Sequence, residues 1–545
     1  MWSLRQRRQI KDRVRLELEA GRQSMQDLVS NGHPDLEKSC PPWPRPGAAA
    51  SAQDADSEKQ GGSPNRRILV TCAPEDTLNP QNWSLGARCK NIAILAFLIF
   101  VQGWAGASES MANSVASSHL HVSQVLENLD IAMYLFGVGI GSQVAGPLSE
   151  TVGRNPVYLI ATFCYLFFVL GSAKAATFGG RITCRLFVGL FSSATLSING
   201  SSVRDQFRDV KRAFVFPIIA WVNVIGPVVA PIASGWLVAN PSLGWRWPDW
   251  LTLMISGAAF LVALLFLPET YLPLLLEWKA KELRRLTGDQ RYYSEHAASS
   301  SLPSRLKHNL KLGVTFFSTE VIVTVLGLYL LLLYTLLFTS LSGFDYIFKE
   351  TYGLSTGLTG SCFASIAVGS TIFTVSAPSW YLWARRATAH VHGASVKPEF
   401  RLWPAIITSP MLPVCLFWLG WTNYPTISIW SGLAACCVFG IVLTAFYVSS
   451  YEYIIDSYGD HSAIALASIT SLRYLAAGGM VMATRPMYSA IGVHWTMTLL
   501  GCVATILSPA PILFWFYGPR LRRHSKFAKD PEQDSGKSGR DSGKC

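Results

Sequence analysis

Gly146-Pro147-Leu148-Ser149-Glu150-Thr151-Val152-Gly153-Arg154-Asn155-Pro156 separates two long apolar stretches. A polar segment this short between two apolar runs reads as the bend of a helical hairpin at a membrane surface. Gly146 and Gly153 let the backbone turn and let helices approach closely. Glu150 and Arg154 stand four residues apart, so they can pair across one helical turn or with a neighbouring helix end. A charged cluster of this kind can latch one end of a helical bundle in one conformation.

The composition agrees with a membrane setting. Half of the 545 residues are apolar and only 15% are charged, against about 25% in a soluble globular chain. Mean hydropathy is +0.28. The charge deficit is concentrated between residues 90 and 517, which makes the fold class an all-α polytopic membrane protein. The net charge of +12 does not imply a nucleic-acid partner, because Lys and Arg gather in the connecting segments as the positive-inside bias requires. Cys164, Cys184, Cys362, Cys436, Cys437 and Cys502 lie inside apolar stretches without framework spacing. They read as small buried hydrophobes, with no disulfide, zinc or other metal site implied. The basic N-terminus has no apolar stretch behind it, which argues against a cleaved signal peptide.

A membrane span needs roughly 20 mostly apolar residues. The chain offers twelve, centred near 100, 137, 167, 190, 226, 258, 330, 368, 412, 437, 474 and 504. They divide six and six around a basic connector. The organisation expected is a disordered cytosolic tail over 1–85, with room for a short amphipathic helix near 4–20, and a six-helix half over 86–270. A cytosolic loop over 271–316, a second half over 317–518 and a cytosolic tail over 519–545 follow. Loops on the side of the N-terminus carry Arg204, Arg208, Lys211, Arg212, Arg385, Arg386, Lys397 and Arg401, whereas the alternate loops carry scattered charges such as Lys174, Arg181, Arg246 and Lys349. Both termini are therefore expected in the cytosol. The triplets at Asn82 and Asn199 then face the cytosol and stay unglycosylated.

At the level of motifs the chain resembles the major facilitator superfamily, and within it the fungal twelve-span drug:proton antiporters. Gly146 to Pro156 is similar to the signature G-x-x-x-D-x-x-G-R, with Glu150 in place of Asp and Asn155 in place of a second basic residue. Arg185-Leu186-Phe187-Val188-Gly189 in span four resembles R-x-x-x-G. The resemblance implies that Arg185 helps couple proton movement by tuning a neighbouring acid or touching substrate, since arginine itself stays protonated. Gly226-Pro227-Val228-Val229-Ala230-Pro231-Ile232-Ala233-Ser234-Gly235 in span five resembles the antiporter signature G-P-x-x-G-P-x-x-G. Gly226, Pro227, Pro231 and Gly235 are expected to pack helices closely rather than to carry chemistry. Gly244-Trp245-Arg246-Trp247, Pro268-Glu269-Thr270-Tyr271 and Lys397 to Leu402 are further marks of the family.

Proton coupling needs a carboxyl that gains and loses a proton. Glu109 at the end of span one and Asp345 at the end of span seven are the candidates, Asp345 lying one turn beyond Ser342, where the family often has an acid. Asp345 reads equally as an interfacial surface acid. The fold's cavity is lined by spans one, four, seven and ten, which nominates Gln102, Trp104, Asn199, Tyr334, Phe338 and Tyr447. The function implied is proton-coupled export of a drug, toxin, secondary metabolite or polyamine by alternating access. The alternatives are proton-coupled uptake of a nutrient and a sensor that binds without transport. No nucleotide-binding or nucleophile motif is present, so neither an enzyme nor an ATP-driven pump is implied. The partners expected are a small molecule, protons and the bilayer. No cofactor is expected, and the chain is expected to be a monomer in the plasma or vacuolar membrane.

Overall fold

The computed structural model describes residues 2–30, 68–73, 75–294, 302–389, 398–459 and 462–525. The tail expected at 31–67 and after Lys526, and Lys397 of the motif before span nine, lie outside the described residues.

Among the described residues, eleven helical stretches are long and apolar enough to cross a membrane. They are Leu85–Leu120, Val125–Val152, Arg154–Lys174, Phe178–Gln206, Lys211–Ala239 and Trp247–Phe266, then Val321–Glu350, Thr356–Trp380, Pro398–Trp421, Ile429–Tyr458 and Ile464–Arg523. The last has 60 residues, about 90 Å as a straight helix and some three times the hydrocarbon thickness. It breaks at Gly492, whose φ of 74° and ψ of 173° are not helical, so 464–491 and 493–523 are spans eleven and twelve. The chain folds back there. Ser462, before span eleven, bonds Arg204 at the end of span four, and Arg522, at the end of span twelve, pairs with Glu399 before span nine. Both contacts lie at the end of the bundle that carries the two termini.

Each half is knit by the same pair of spans. A Cβ added to Gly137 of span two or Gly189 of span four would collide with the other helix's backbone. In the second half Gly369 of span eight and Gly440 of span ten stand in the same relation. The halves meet along spans two and eleven, where Ser471 Oγ donates to the Gly139 carbonyl at 2.7 Å. They also meet along spans five and eight, where Trp221 Nε1 donates to Thr371 Oγ1 at 2.9 Å.

Two segments of the tail and connector carry helices, the first longer than the short amphipathic helix allowed near 4–20. Trp2–Ser30 is a helix whose Ile10, Val14 and Leu18 pack against Leu274, Leu275, Trp278 and Leu283 of a second helix, Leu272–Thr287. Apolar residues at i, i+4 and i+8 give the first helix one stripe, and the amphipathic connector helix supplies its partner. Ile68–Leu69 pairs in parallel with Tyr292–Tyr293, closing this small satellite core. Span two also runs farther than the quoted turn implied. It stays helical to Val152, with Pro147 inside it, and the chain turns only at Gly153.

Candidate functional site

Gly153 adopts φ 107°, and a Cβ there would lie 2.5 Å from both Glu269 Oε2 and Leu274 Cδ2. Only glycine fits. Gly146, by contrast, has open space where a Cβ would stand, so it makes no close helix contact, contrary to the expectation from sequence. Arg154 opens span three, but its direct partner is not Glu150. Its Nε donates to Asp205 Oδ2 at 3.1 Å, an Nη group bonds Ser149 Oγ, and the guanidinium lies 5.0 Å over the Tyr271 ring. Glu150 contributes to the field at Arg154 without forming that bond. The helix phase explains this: the chain breaks at Gly153 between Glu150 and Arg154, so the two do not share one helical face.

The Glu269 carboxylate organises this end. It is fully buried and accepts the backbone N–H groups of Arg154 (3.1 Å), Asn155 (3.1 Å), Thr270 (2.9 Å) and Tyr271 (2.9 Å). The first two are orphan donors at the N-terminus of span three, where an anion is also favoured by the helix dipole. Burial pushes the Glu269 carboxyl above its ordinary range, and the four amides act against that shift. Asn155 donates its side-chain amide to the Leu267 carbonyl at 2.7 Å, capping the end of span six. Gln6 of the N-terminal helix pairs its amide with the backbone of Glu269, at 3.1 Å from Nε2 to the carbonyl and 2.9 Å from N–H to Oε1. At the same end Arg204 donates to the Gly459 carbonyl at 2.7 Å, and Arg212 pairs with Asp456. Asp456 is held also by Arg401 at 3.0 Å, which reaches Glu452 at 2.7 Å. The Arg204 and Arg212 contacts cross between the halves, so the bundle is closed at the end of the termini.

A second cluster lies near the other end of the first half. Arg181 and Arg185, one helical turn apart on span four, face Glu109, Glu127, Asp130 and Asp249, and all six are buried. Arg185 pairs with Glu109, with Asp130 at 3.1 Å and with Asp249 at 3.1 Å, and donates to the Ala105 carbonyl at 3.1 Å. Arg181 pairs with Glu109, with Glu127 at 3.0 Å and with Asp130 at 3.5 Å. The Trp245 ring covers Arg181 at 4.8 Å. Glu109 lies just past the helix Leu85–Ala105, where span one breaks. Four carboxylates thus share two guanidiniums. Arg181, read from sequence as a loop charge, belongs to span four. Its spacing to Arg185 (i, i+4) was the signal, and Asp249 in the first turn of span six was the other. Asp345 is absent from this cluster and pairs with Arg485 of span eleven at 3.3 Å. Ser342 bonds Asn128 Oδ1 at 3.2 Å, a contact between the halves.

Of the six residues nominated for the cavity, Tyr334, Phe338 and Tyr447 come together, and the feature they surround is Arg473 of span eleven. Its guanidinium lies 4.0 Å over the Tyr334 ring, and 5.2, 5.5 and 5.2 Å from those of Tyr447, Tyr451 and Tyr474. Sequence reasoning passed over Arg473. The signal was an arginine in the middle of an apolar stretch, which is costly unless it has a purpose. Trp104 turns away, donating its indole N–H to Thr252 of span six at 3.0 Å. Asn199 bonds the Leu196 carbonyl of its own helix. The Gln102 side-chain amide is buried with neither end hydrogen-bonded, and its backbone carbonyl accepts the Tyr134 hydroxyl at 2.6 Å. In span five, Gly226 lies against the span-one backbone at Phe100 and Trp104, while Gly235 lies against Thr356 and Gly360 of span eight. Pro227 touches the position of Gly103, Pro231 that of Gly360, and the helix continues through both prolines. Among the described residues no group of three His, Cys, Asp or Glu is placed to hold a metal ion.

The comparisons with known proteins agree with this architecture. Residues 92–481 match the Major Facilitator Superfamily. The chain is 38% identical to the MFS-type transporter kojT of Aspergillus flavus over 458 residues, covering 83% of this chain and 81% of that one. It is 28% identical to the efflux pump FUBT of Fusarium oxysporum over 479 residues, 86% of this chain and 79% of that one. Among solved structures, the MFS proton:xylose symporter XylE superposes with a TM-score of 0.59 at 16% identity, over 80% of this chain and 96% of that chain. Twelve spans in two matched halves, the tight glycine turn at Gly153 and a family match across most of the membrane region lead to one conclusion: this chain is a membrane transporter rather than an enzyme, and it belongs to the major facilitator superfamily.

Proposed function

We propose that the chain is a proton-coupled exporter of small organic molecules, working by alternating access in the plasma membrane with both termini in the cytosol. The observation that carries this reading is the cluster around Arg181 and Arg185. A buried site with four carboxylates and two guanidiniums is left with two negative charges when all are ionised, and proton uptake relieves them. Coupled groups of this kind take up protons as a set rather than one residue at a time. The gate contacts support the second half of the reading. Arg204, Arg212 and Asp456 hold the halves together on the proposed cytosolic side, which corresponds to the state closed to the cytosol. Export rather than uptake is supported by the span-five motif and by the resemblance to the efflux pump FUBT.

The test is accumulation of a panel of labelled metabolites and drugs in yeast lacking its own exporters and expressing this chain. Export lowers accumulation, and both a protonophore and Arg185→Ala abolish the effect while the variant still reaches the membrane. Raised accumulation would make the chain an importer. Lowered accumulation that survives the protonophore would remove proton coupling.

A further inference from the structure

Arg473 is fully buried, and none of its three side-chain nitrogens has a hydrogen-bond partner. Its leading electrostatic neighbours are the four tyrosines Tyr334, Tyr451, Tyr447 and Tyr474. A guanidinium stays charged at any physiological pH and carries five N–H donors in a planar fork. Burying such a charge without a counter-ion costs several kcal/mol. Stacking on aromatic faces offsets part of that cost, about 2 kcal/mol for a good desolvated contact, and the Tyr474 side chain is a polar neighbour of the guanidinium, but the five N–H donors are not all satisfied. The hydroxyls of Tyr334 and Tyr447 are likewise buried and unpartnered. The cage belongs to both halves. Phe216 of span five stacks on Tyr447 and Tyr451 at 6.3 and 5.9 Å, and Ser471, two residues from Arg473, bonds Gly139 of span two. Arg473, Tyr334 and Tyr447 also lie well inside their spans, at the depth where alternating access places its substrate.

We infer that Arg473 is the anion-binding residue of the transport site, and that the transported molecule is a planar organic anion bearing a carboxylate. The inference deepens the export reading and rests on it. The fork matches the two oxygens of a carboxylate, and the unpartnered hydroxyls of Tyr334 and Tyr447 supply further donors to the same group. The surrounding rings offer flat apolar faces to the rest of the ligand. A cage made of tyrosines ordinarily suits a cation, but here the protein's own guanidinium occupies it. A second positive charge is repelled, which places polyamines and cationic drugs outside the substrate class.

The experiment is equilibrium binding to the purified full-length chain in detergent, read by quenching of intrinsic fluorescence and by thermal shift. The probes are three compounds of one shape: naphthoate, naphthamide and naphthamidine. Naphthoate is expected to bind at least tenfold more tightly than the amide, with no binding by the amidine. Arg473→Gln should remove the preference for the anion, and Arg473→Lys should retain a weaker one, because it keeps the charge and loses the fork. Because Arg473→Gln can misfold, Tyr447→Phe serves as the second variant: it keeps the ring, removes one unused hydroxyl, and should weaken naphthoate severalfold. Equal binding of all three probes, preference for the amidine, or no response to naphthoate overturns the inference. Binding is measured without a gradient, so anion selectivity with no proton-driven export would sink the transport reading and leave the site standing.

Discussion

Replacing Glu269 measures how much of the gate depends on one carboxylate. Oε1 accepts from Arg154, Thr270 and Tyr271, while Oε2 accepts from Asn155. Glu269→Ala strands four buried amides. A net hydrogen bond contributes about 1 kcal/mol, and about 1.5–3 kcal/mol when the acceptor is charged. Four such bonds to a carboxylate amount to about 6–12 kcal/mol, comparable to the whole stability of many domains. Glu269→Gln keeps an oxygen at the Oε1 position and turns an NH2 group toward the Asn155 N–H. It loses one bond of four and the charge, at about 2 kcal/mol. The assay is thermal unfolding of the purified full-length protein, beside export in yeast. Melting should fall in the order wild type, Gln, Ala, and export should fall with it. If Ala melts with wild type, or Gln is as damaging as Ala, the carboxylate does not cap span three as described.

The remaining predictions address the gate and the satellite core. Gly153→Ala should lose about 1–3 kcal/mol through its positive φ, whereas Gly146→Ala should be neutral or slightly stabilising in its helix; equal melting of the two variants contradicts the reading. Asp456→Asn weakens the acceptor shared by Arg212 and Arg401, so a cysteine placed at Ser462 should label with maleimide severalfold faster, and unchanged labelling shows that the latch lies elsewhere. Removing residues 2–30 uncovers Leu274, Leu275 and Trp278 and breaks the Gln6–Glu269 pair, so the truncated protein should melt lower. Wild-type melting would show that the helix is dispensable.

The spans were legible because each carries its signal within a single window: some twenty apolar residues cannot be anything else in a chain this poor in charge. The two spans centred near 474 and 504 were legible for the same reason, whereas the break at Gly492 between them was not singled out. Gly153 and Arg185 were legible through motif. What stayed hidden were pairings between distant segments. Nothing local marks Glu269 as the acceptor for residues 154 and 155, or Asp205 as the partner of Arg154 in place of Glu150. The N-terminal helix was legible only as a short amphipathic possibility near 4–20, and its docking was hidden for a related reason. Its apolar stripe of Ile10, Val14 and Leu18 is too thin to fold alone, and its partner lies some 260 residues away in the connector. Arg473 was missed because attention went to acids, whereas a buried cation without an acid is the rarer and more telling arrangement.

Arg185 and Arg473 are both buried arginines in transmembrane helices, yet their settings are opposite. Arg185 shares four carboxylates with Arg181, while the leading neighbours of Arg473 are tyrosines. A transporter of protons and an organic anion needs this segregation. A carboxylate beside Arg473 would neutralise the fork and exclude the anion, and further cations beside Glu109 would leave no charge for protons to relieve. Span two joins the two settings. Asp130 faces Arg185, Tyr134 lies near Tyr474, and Gly139 accepts Ser471. From Asp130 to Gly139 the helix rises roughly 13 Å, and two unit charges at that distance interact by about 1 kcal/mol at an effective dielectric constant of 20. Its sign matters: a proton added to the cluster removes negative charge and strengthens anion binding. Direct electrostatics therefore favours proton and anion on the protein together, which suits uptake. Exchange in opposite directions requires that conformation override it, with the protonated cluster stabilising the state that releases the anion by more than about 1 kcal/mol. The contacts broken and remade at the gate, Arg212–Asp456 and Arg204–Gly459, are where that free energy must be found, because they cross the seam and exist only when the end bearing the termini is closed.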